Sequence, residues 1–332
     1  MKTNLSINIA KDEYGKDVVI DLGAIRHIVM AGATGSGKSV FLHNILGTLL
    51  SNNSPEFLKL ILIDPKRVEL TMYNRIPHLL TEVITDPKKA VLAMRWVVKE
   101  MNRRYDILKE GGVKDISEYT GKETMPEIVI MIDELSDLIQ TYPLEVEDVV
   151  LKIAEMGHVV GVHIILSTSR PSTKVLTKSI LDTIPARIAM QTSPLQDSKL
   201  IIGTDGAVKL HGAGDMLFRN GMKYIIRGQA RLVTETDVKA LCKSVCEKYT
   251  DVLEPVAISI FAFDDDLAAG EDELYEEAKK ITMEAGKASA AFIQRKLGIG
   301  YSRAAGLVDK LEACGVVGPK DKKTLVRKVI KK

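Results

Sequence analysis

The chain has 332 residues, 45% of them hydrophobic, and a formal net charge of +2, which is enough apolar material for about two globular domains. No apolar run reaches the roughly 18 residues of a membrane span, no signal-like leader precedes the first motif, and three cysteines without metal-ligand spacing fit a reducing compartment, so we expect a cytoplasmic protein. Residues 278–332 hold 14 Lys/Arg against 4 Asp/Glu, and this basic tail on an otherwise acidic chain predicts contact with a polyanion.

Apolar runs that alternate with helical patterns predict an α/β domain. A first strand is expected in "DVVIDL", and buried parallel strands are expected in "HIVMA", "KLILID", "EIVIMID" and "VHIILST". The clearest helix begins at Asp86-Pro87, a favourable cap and first-turn pair. Its core-facing stripe is formed by Val91, Met94, Val98, Met101, Tyr105 and Leu108, with Arg95, Arg103 and Arg104 off that stripe.

The strongest motif is "GATGSGKS", which lies between the strand "HIVMA" and a helix. Glycines let the backbone turn tightly so that its N–H groups point at phosphate oxygens, while Lys38 reaches the outer phosphates and the Ser39 hydroxyl binds Mg²⁺. We therefore predict a P-loop that binds ATP and Mg²⁺. Its nucleotide-binding residues are Gly32, Ala33, Thr34, Gly35, Ser36, Gly37, Lys38, Ser39 and Val40.

Two acids end buried strands and could complete the metal site, Asp64 in "LILIDPK" and Asp133 in "IVIMIDEL". An ATPase needs one carboxylate for Mg²⁺ and a second to polarise the attacking water. Only Asp133 is followed by another acid, Glu134, so we assign these roles to Asp133 and Glu134. The strand of Asp64 is then expected between the P-loop strand and the Asp133 strand, in a RecA-like order.

Other P-loop classes fit less well. A GTPase requires a downstream Asn-Lys-x-Asp, and the sequence contains no Asn-Lys pair. A small-metabolite kinase has little use for Glu134 or for a basic tail. The sequence favours an ATPase.

Further polar residues follow the later strands. Ser167 and Thr168 end "VHIILST", and Ser169 follows it. One of these three residues could sense the terminal phosphate of the nucleotide. Arg187 and Arg170 are candidates for an arginine that stabilises the transition state from a neighbouring subunit.

The C-terminal third carries three local signals. Asn220-Gly221 within "DMLFRNGMKYII" predicts a β-hairpin, and Thr234 and Asp237 have the spacing of a capping box. The aperiodic, acidic stretch "AFDDDLAAGED" predicts a linker.

The tail predicts a winged helix. One short helix has an inner face of Phe292, Ile293 and Leu297, and a second, after "GIG", has Ala304, Leu307, Val308 and Leu311. Ser302 and Arg303 would face base edges in a major groove. The following wing would contact phosphates through Lys320, Lys322, Lys323 and Arg327. A winged helix that contacts protein is the alternative.

The chain resembles the FtsK/SpoIIIE family of double-stranded DNA translocases. The resemblance covers residues 15–330 in order and rests on "MAGATGSGKS", "LILIDPKRVEL", "VIMIDELSDL", "SRPSTKVLTKSILDTIPARIAM", "LHGAGDMLF" and "IQRKLGIGYSRAAGLVDKLEACGVV". It implies a RecA-like motor that forms a homo-hexameric ring around duplex DNA, Arg187 acting in trans, and a gamma domain that reads sequence and orients loading. It also implies a site-specific recombinase as a partner of the C-terminal domain.

The sequence departs from the family pattern at several positions. Ser169 replaces a usual glutamine, Lys199 replaces an arginine, and Ser302, Gly306 and Asp309 stand where many relatives have Asn, Arg and Glu. No part of this sequence resembles the membrane-spanning N-terminus common in the family. We expect either a short, soluble relative or a piece of a longer protein, which would be membrane-associated. Because the substitutions at 302, 306 and 309 lie in the helix expected to read DNA, we expect a different DNA target sequence or weak selectivity.

These observations predict a motor domain in residues 1–261, an acidic linker in 262–272 and a winged helix in 273–332. The expected function is ATP-driven translocation of duplex DNA in chromosome segregation at cell division. A conjugative or mobile-element DNA pump and a DNA-binding regulator with a nucleotide switch are the alternatives.

Overall fold

The computed structural model describes residues 3–121, 124–221, 224–249 and 274–300, and near the C-terminus residues 304–305, 307–308, 311–312, 316–318 and 327–330. The chain divides into two compact units, residues 1–260 and 261–332. The predicted linker, 262–272, lies outside the described residues. Within the described ranges, no helix combines the length and apolar character needed to cross a membrane.

The described part of the larger unit contains a nine-stranded sheet in the order β2-β1-β9-β8-β7-β3-β6-β5-β4. Its strands are β1 (Ser6–Asp12), β2 (Asp17–Asp21), β3 (Ile28–Ala31), β4 (Leu58–Ile63), β5 (Glu127–Ile132), β6 (Val162–Thr168), β7 (Ala186–Met190), β8 (Asp215–Asn220) and β9 (Ile226–Gln229). Neighbours from β7 through β3, β6 and β5 to β4 are parallel, and the remaining pairs are antiparallel. All five predicted strands are confirmed as β2 to β6.

The order of the parallel strands corrects one expectation. β6, not the Asp64 strand β4, lies between the P-loop strand β3 and the Asp133 strand β5. The β4 strand instead pairs on the far side of β5. Since parallel strands end at the same edge of a sheet, the loops after β3, β6, β5 and β4 meet along one edge in that sequence.

Helices cover this sheet. They are α1 (Leu22–Ile25), α2 (Lys38–Asn52), α3 (Pro87–Glu110), α4 (Leu135–Thr141), α5 (Pro143–Met156), α6 (Lys178–Thr183), α7 (Leu195–Ile202) and α8 (Glu235–Lys248). The predicted start of α3 is confirmed, because Asp86 caps it by accepting a hydrogen bond from the Lys89 N–H at 2.9 Å. The predicted capping box of α8 is also present, with Thr234 and Asp237 bonding reciprocally.

Arg104 is the exception on α3. It was expected off the core-facing stripe, but only 2% of it is exposed. Its guanidinium donates to Glu100 Oε1 and to the Val160 carbonyl, both at 2.8 Å. Burial is possible because these two acceptors satisfy the charge, and the helix pattern alone could not reveal a partner 56 residues away.

The predicted hairpin is present, but its connection is wider than expected. β8 and β9 pair in antiparallel register from Asp215↔Gln229 to Phe218↔Ile226. In this register the point midway between paired residues lies C-terminal to Gly221, and Asn220 is still part of β8. Asn220-Gly221 therefore does not form a tight two-residue turn between the strands.

The smaller unit has its own core. Its described elements are α9 (Tyr275–Ala285), β10 (Lys287–Ala288), α10 (Ala290–Leu297) and β11 (Arg327–Lys328), and β10 pairs with β11. The predicted inner-face residues Ile293, Ala304, Leu307, Val308 and Leu311 are all buried in one cluster. Phe292 and Leu297 pack against it while remaining partly exposed, so the predicted apolar faces are confirmed.

Three histidines meet at the edge of the sheet opposite the P-loop. His27 Nδ1 accepts from the Ile164 N–H at 3.1 Å, and its ring centroid lies 6.1 Å from that of His163 and 6.4 Å from that of His158. Burial, together with the neighbouring His163, His158 and Arg26 charges, lowers the pKa of His27 to about 3. Protonation of His27 is therefore unfavourable in the folded protein.

The lowered pKa of His27 predicts that the folded protein loses stability in acid. The unfolded chain takes up a proton on His27 near its ordinary pKa of about 6.5, whereas the buried His27 of the folded protein stays neutral. The stability of the folded protein is therefore not reduced by His27 above that pH, and it falls as the pH drops below it. At pH 5 we expect His27 alone to reduce the free energy of unfolding by about 2 kcal/mol. Urea denaturation at pH 7.5 and pH 5.0, followed by fluorescence of the single tryptophan, Trp96, measures the difference.

The matched variant is His27→Asn, whose amide oxygen can accept from the Ile164 N–H but does not titrate. It should show a smaller loss of stability between the two pH values than the parent protein. Equal losses in both proteins would contradict the assignment.

Candidate functional site

The P-loop lies between β3 and α2 at the carboxyl edge of the sheet. Gly37 caps α2 with a left-handed φ of 105°, and Gly35 has a φ of 80°. Lys38 Nζ donates to the carbonyls of Gly32 and Ala33, each at 2.8 Å. Burial lowers the pKa of Lys38, against the opposing effect of the Glu134 and Asp133 carboxylates. The loop thus places a lysine ammonium at its centre.

The loop fits a phosphate chain. Ser36 Oγ is buried and lacks a hydrogen-bond partner within the described residues. The N–H groups of the first α2 residues, Lys38 and Ser39, cannot be satisfied within their own helix and are suited to phosphate oxygens. The local geometry of residues 32–40 is therefore suited to the phosphate chain that the sequence predicts there.

A segment of "LHGAGDMLF" to which the sequence assigns no role packs against the P-loop. Gly212, Ala213 and Gly214, just before β8, all have positive φ. The Gly214 N–H donates to the Ser36 carbonyl at 3.1 Å. A Cβ on Gly37 would lie 2.5 Å from Gly214 N, too close for any side chain. The sequence feature that could have indicated this contact is the pair of glycines that flank Ala213.

Asp64 holds the loop that follows β4. Its carboxylate accepts from the backbone N–H groups of Arg67, Val68, Glu69 and Leu70 at 2.9–3.0 Å, and it is fully buried. This pattern fixes the turn and leaves Asp64 little capacity to coordinate a cation. Asp64 therefore acts in the structure as a loop anchor.

Asp133 lies at the tip of β5 and is 8% exposed. Burial, followed by the charges of Asp64, Glu134 and Glu69, raises the pKa of Asp133 to about 7. A carboxyl group in such a negative environment gains from a bound cation. The acid at this tip, with the Ser39 hydroxyl, is a chemically suitable pair of Mg²⁺ ligands.

Glu134 is held by donors from the loop after β4, from α4 and from the end of β6. Its carboxylate accepts from Lys66 Nζ at 2.7 Å, Ser136 Oγ at 2.6 Å and Thr168 Oγ1 at 2.7 Å. The Ser169 N–H and hydroxyl also donate to it. Burial opposes its charge, but these hydrogen bonds outweigh burial and lower the pKa of Glu134 to about 2.

The backbone of Glu134 is also unusual. It has a φ of 73°, a left-handed conformation that costs a non-glycine residue on the order of 1–3 kcal/mol. That conformation begins α4 directly after β5 and directs the carboxylate towards β6. Strain of this kind is common where a side chain must be aimed.

Comparisons with known proteins show which family the chain belongs to. The family model described as FtsK/SpoIIIE family matches residues 1–173, and the Ftsk gamma domain model matches residues 269–332. The chain belongs to the FtsK/SpoIIIE family.

Two relatives illustrate the similarity. The DNA translocase FtsK of Caldanaerobacter subterraneus subsp. tengcongensis is 44% identical over 324 residues, covering 96% of this chain and 46% of the relative. The DNA translocase SftA of Bacillus subtilis is 40% identical over 342 residues, covering 98% of this chain and 35% of the relative. The chain thus spans less than half the length of these relatives.

Solved structures share the fold of the larger unit. The pCW3 conjugation coupling protein TcpA has a TM-score of 0.65 at 24% identity, covering 75% of this chain and 71% of its own. EssC (ATPases 2 and 3) from Geobacillus thermodenitrificans has a TM-score of 0.68 at 19% identity, covering 77% of this chain and 51% of its own. The fold is that of P-loop ATPases.

In this member of the FtsK/SpoIIIE family the three sensor candidates have different positions. Thr168 and Ser169 contact Glu134. Ser167 Oγ is buried and has no partner among the described residues. The serine that replaces the family's usual glutamine, Ser169, is therefore bonded to the assigned catalytic carboxylate.

The structure places the two candidate arginines differently. Arg187 lies on β7 and donates to the Leu181 carbonyl at 2.5 Å and the Ile201 carbonyl at 3.5 Å, near the C-terminal ends of α6 and α7. Arg170 is exposed directly after β6, at the same edge as Glu134. Within one chain, Arg187 neutralises helix ends rather than reaching the P-loop.

Most predicted DNA contacts of the gamma domain lie outside the described residues, namely Ser302, Arg303, Lys320, Lys322 and Lys323. Arg327 is described. Its side chain is 12% exposed and forms an ion pair with Glu312. Because that guanidinium is already paired within the unit, its predicted phosphate contact finds no support in this geometry.

The contact between Gly37 and Gly214 predicts unequal effects of two alanine substitutions. Gly35→Ala adds a Cβ into open space and should lower the free energy of unfolding by about 1–2 kcal/mol through its positive φ. Gly37→Ala also meets the Gly214 backbone and should lower it by about 3 kcal/mol or more. Urea denaturation without nucleotide checks this, and equal losses would rule out the contact.

Proposed function

We propose that the chain is an ATP-driven translocase of double-stranded DNA. The supporting observation is the meeting, at one sheet edge, of a P-loop with an Asp-Glu pair in which Glu134 is held beside the β6 tip. That arrangement is suited to hydrolysis of ATP and not merely to its binding. Membership of a family whose curated relatives are named DNA translocases supplies the substrate.

Each site residue has a chemical task in this proposal. Lys38 would leave the carbonyls of Gly32 and Ala33 to bind the outer phosphates of ATP. Mg²⁺ held by Ser39 and Asp133 would neutralise the phosphate charge. Glu134 would orient and deprotonate the attacking water.

We further infer a homo-hexameric ring, since hydrolysis in this scheme is completed by an arginine from the neighbouring subunit. Arg187 is the residue that the family resemblance indicates. Its guanidinium would first have to leave the Leu181 and Ile201 carbonyls. The exposed Arg170 can reach a neighbour without breaking such contacts.

The winged helix would provide direction. A ring that grips the DNA backbone has no intrinsic preference for orientation, whereas Ser302 and Arg303 at base edges can distinguish one strand direction from the other. A polar recognition sequence would then determine which way the motor is loaded.

Chromosome segregation at division is the process that this activity serves best, with a site-specific recombinase as the partner of the tail. A mobile-element DNA pump would use the same chemistry.

Two variants test the motor. Glu134→Gln should retain ATP binding and lower DNA-stimulated turnover by about 10²–10⁴-fold, because it keeps the shape but not the base. Lys38→Ala should lose ATP binding as well. ATPase rate measured against duplex length, with fluorescent-nucleotide binding in parallel, separates the two effects. Turnover that does not respond to DNA would refute the motor, and a nucleotide-switch regulator would show no steady turnover.

Removal of residues 273–332 tests the separation of force from direction. The truncated protein should keep DNA-stimulated ATPase activity and lose any bias towards one direction on DNA that carries a recognition sequence. Translocation monitored by displacement of a DNA-bound triplex from either end measures that bias. Lost activity with an intact bias would contradict the proposed division of labour.

A further inference from the structure

Lys66 makes a contact with the assigned catalytic carboxylate that the family resemblance did not indicate. Its ammonium lies 2.7 Å from Glu134 Oε2. The Glu134 side chain is 3% exposed, whereas the Lys66 side chain is 42% exposed. One partner of this ion pair is therefore enclosed and the other is accessible from outside.

The hydrogen bonds around Glu134 leave little capacity for the attacking water. Oε1 accepts from Ser136 Oγ, Thr168 Oγ1 and the Ser169 N–H, and Oε2 accepts from Lys66 and the Ser169 hydroxyl. A carboxylate offers about four lone-pair sites. To take a proton from water, Glu134 must first lose at least one of these donors.

Lys66 is the donor best able to leave. Ser136 is buried in α4, and Thr168 is buried at the end of β6. Ser169 donates partly through its backbone N–H, which cannot move without the β6 tip. The lysine has a long flexible stem and an exposed head. The backbone next to Lys66 is held in place, because the Asp64 carboxylate accepts hydrogen bonds from the N–H groups of residues 67–70.

We propose that Lys66 is a positioning residue that restrains Glu134 in the protein without DNA, and that a backbone phosphate of duplex DNA releases it by competing for the ammonium. The proposal rests on the proposed translocase function. After release, the water oxygen bonds to the terminal phosphorus as the bond to the bridging oxygen breaks, the electron pair leaves with ADP, and Glu134 takes the water proton.

A purely structural role for the ion pair predicts the opposite result. Removal of the ammonium would then leave a buried carboxylate without its counter-charge and would only destabilise the protein. It would not raise the rate of any step. An increase in turnover is therefore a result that only the restraint explains.

The experiment compares steady-state ATPase activity of the full chain with and without saturating duplex DNA. Lys66→Met keeps the length of the side chain and removes its charge, so we expect kcat without DNA to rise at least threefold, KM to change less than twofold, and stimulation by DNA to shrink accordingly. Lys66→Arg keeps a cation and should restore low DNA-free turnover.

Lys152→Met is the matched control. Lys152 is 52% exposed and lies 2.8 Å from Asp148, far along the chain from the site, and its loss should leave both rates unchanged. Thermal melting confirms that each variant is folded. If Lys66→Met does not fold, Lys66→Gln replaces it with the same expectation.

A DNA-free kcat that stays the same or falls in the neutral Lys66 variant, with the parent protein still stimulated by DNA, overturns the restraint alone. A parent protein whose turnover does not respond to DNA overturns the translocase proposal, and the restraint with it. The two failures are therefore distinguished by the parent protein.

Discussion

The carboxylate of Glu134 is the point on which the site depends, because it joins three loops that are distant in sequence. Lys66 comes from the loop after β4, and Thr168 and Ser169 come from the end of β6. Each contact exists only because β4, β5 and β6 are parallel neighbours whose carboxyl ends share one edge. The sheet order thus determines which side chains can act on the nucleotide.

The two aspartates that end neighbouring strands show how environment separates chemical roles. Asp64 accepts hydrogen bonds from four backbone N–H groups, and these bonds hold the turn after β4. Asp133, buried close to other carboxylates, has its pKa raised to about 7. The same residue type at the same strand position is therefore a loop anchor in one case and, in the other, a carboxyl group suited to binding a cation.

Local sequence patterns could predict the parts of the fold that depend on local interactions. The strands β2 to β6, the Asp86 cap and the capping box at Thr234 follow from periodicity and short-range hydrogen bonds. The position of β6 between β3 and β5, the buried Arg104 and the packing of Gly214 on the P-loop could not be predicted in this way. They depend on partners 56 to about 180 residues apart in the chain, which periodicity does not encode.

The P-loop has a second physical connection, through Gly214, which joins it to the antiparallel part of the sheet. The Gly214 N–H holds the Ser36 carbonyl, and Gly214 directly precedes β8, which pairs with β7 and β9. Gln229 on β9 in turn donates to the Ala213 carbonyl at 2.8 Å. These hydrogen bonds connect the P-loop to the antiparallel half of the sheet. On the other side, Glu134 links the β5 and β6 tips to Lys66. The P-loop and Glu134 thus lie between two sets of contacts, one towards β8 and β9 and one towards β4. A change at either of them has contacts through which it can reach both halves of the sheet.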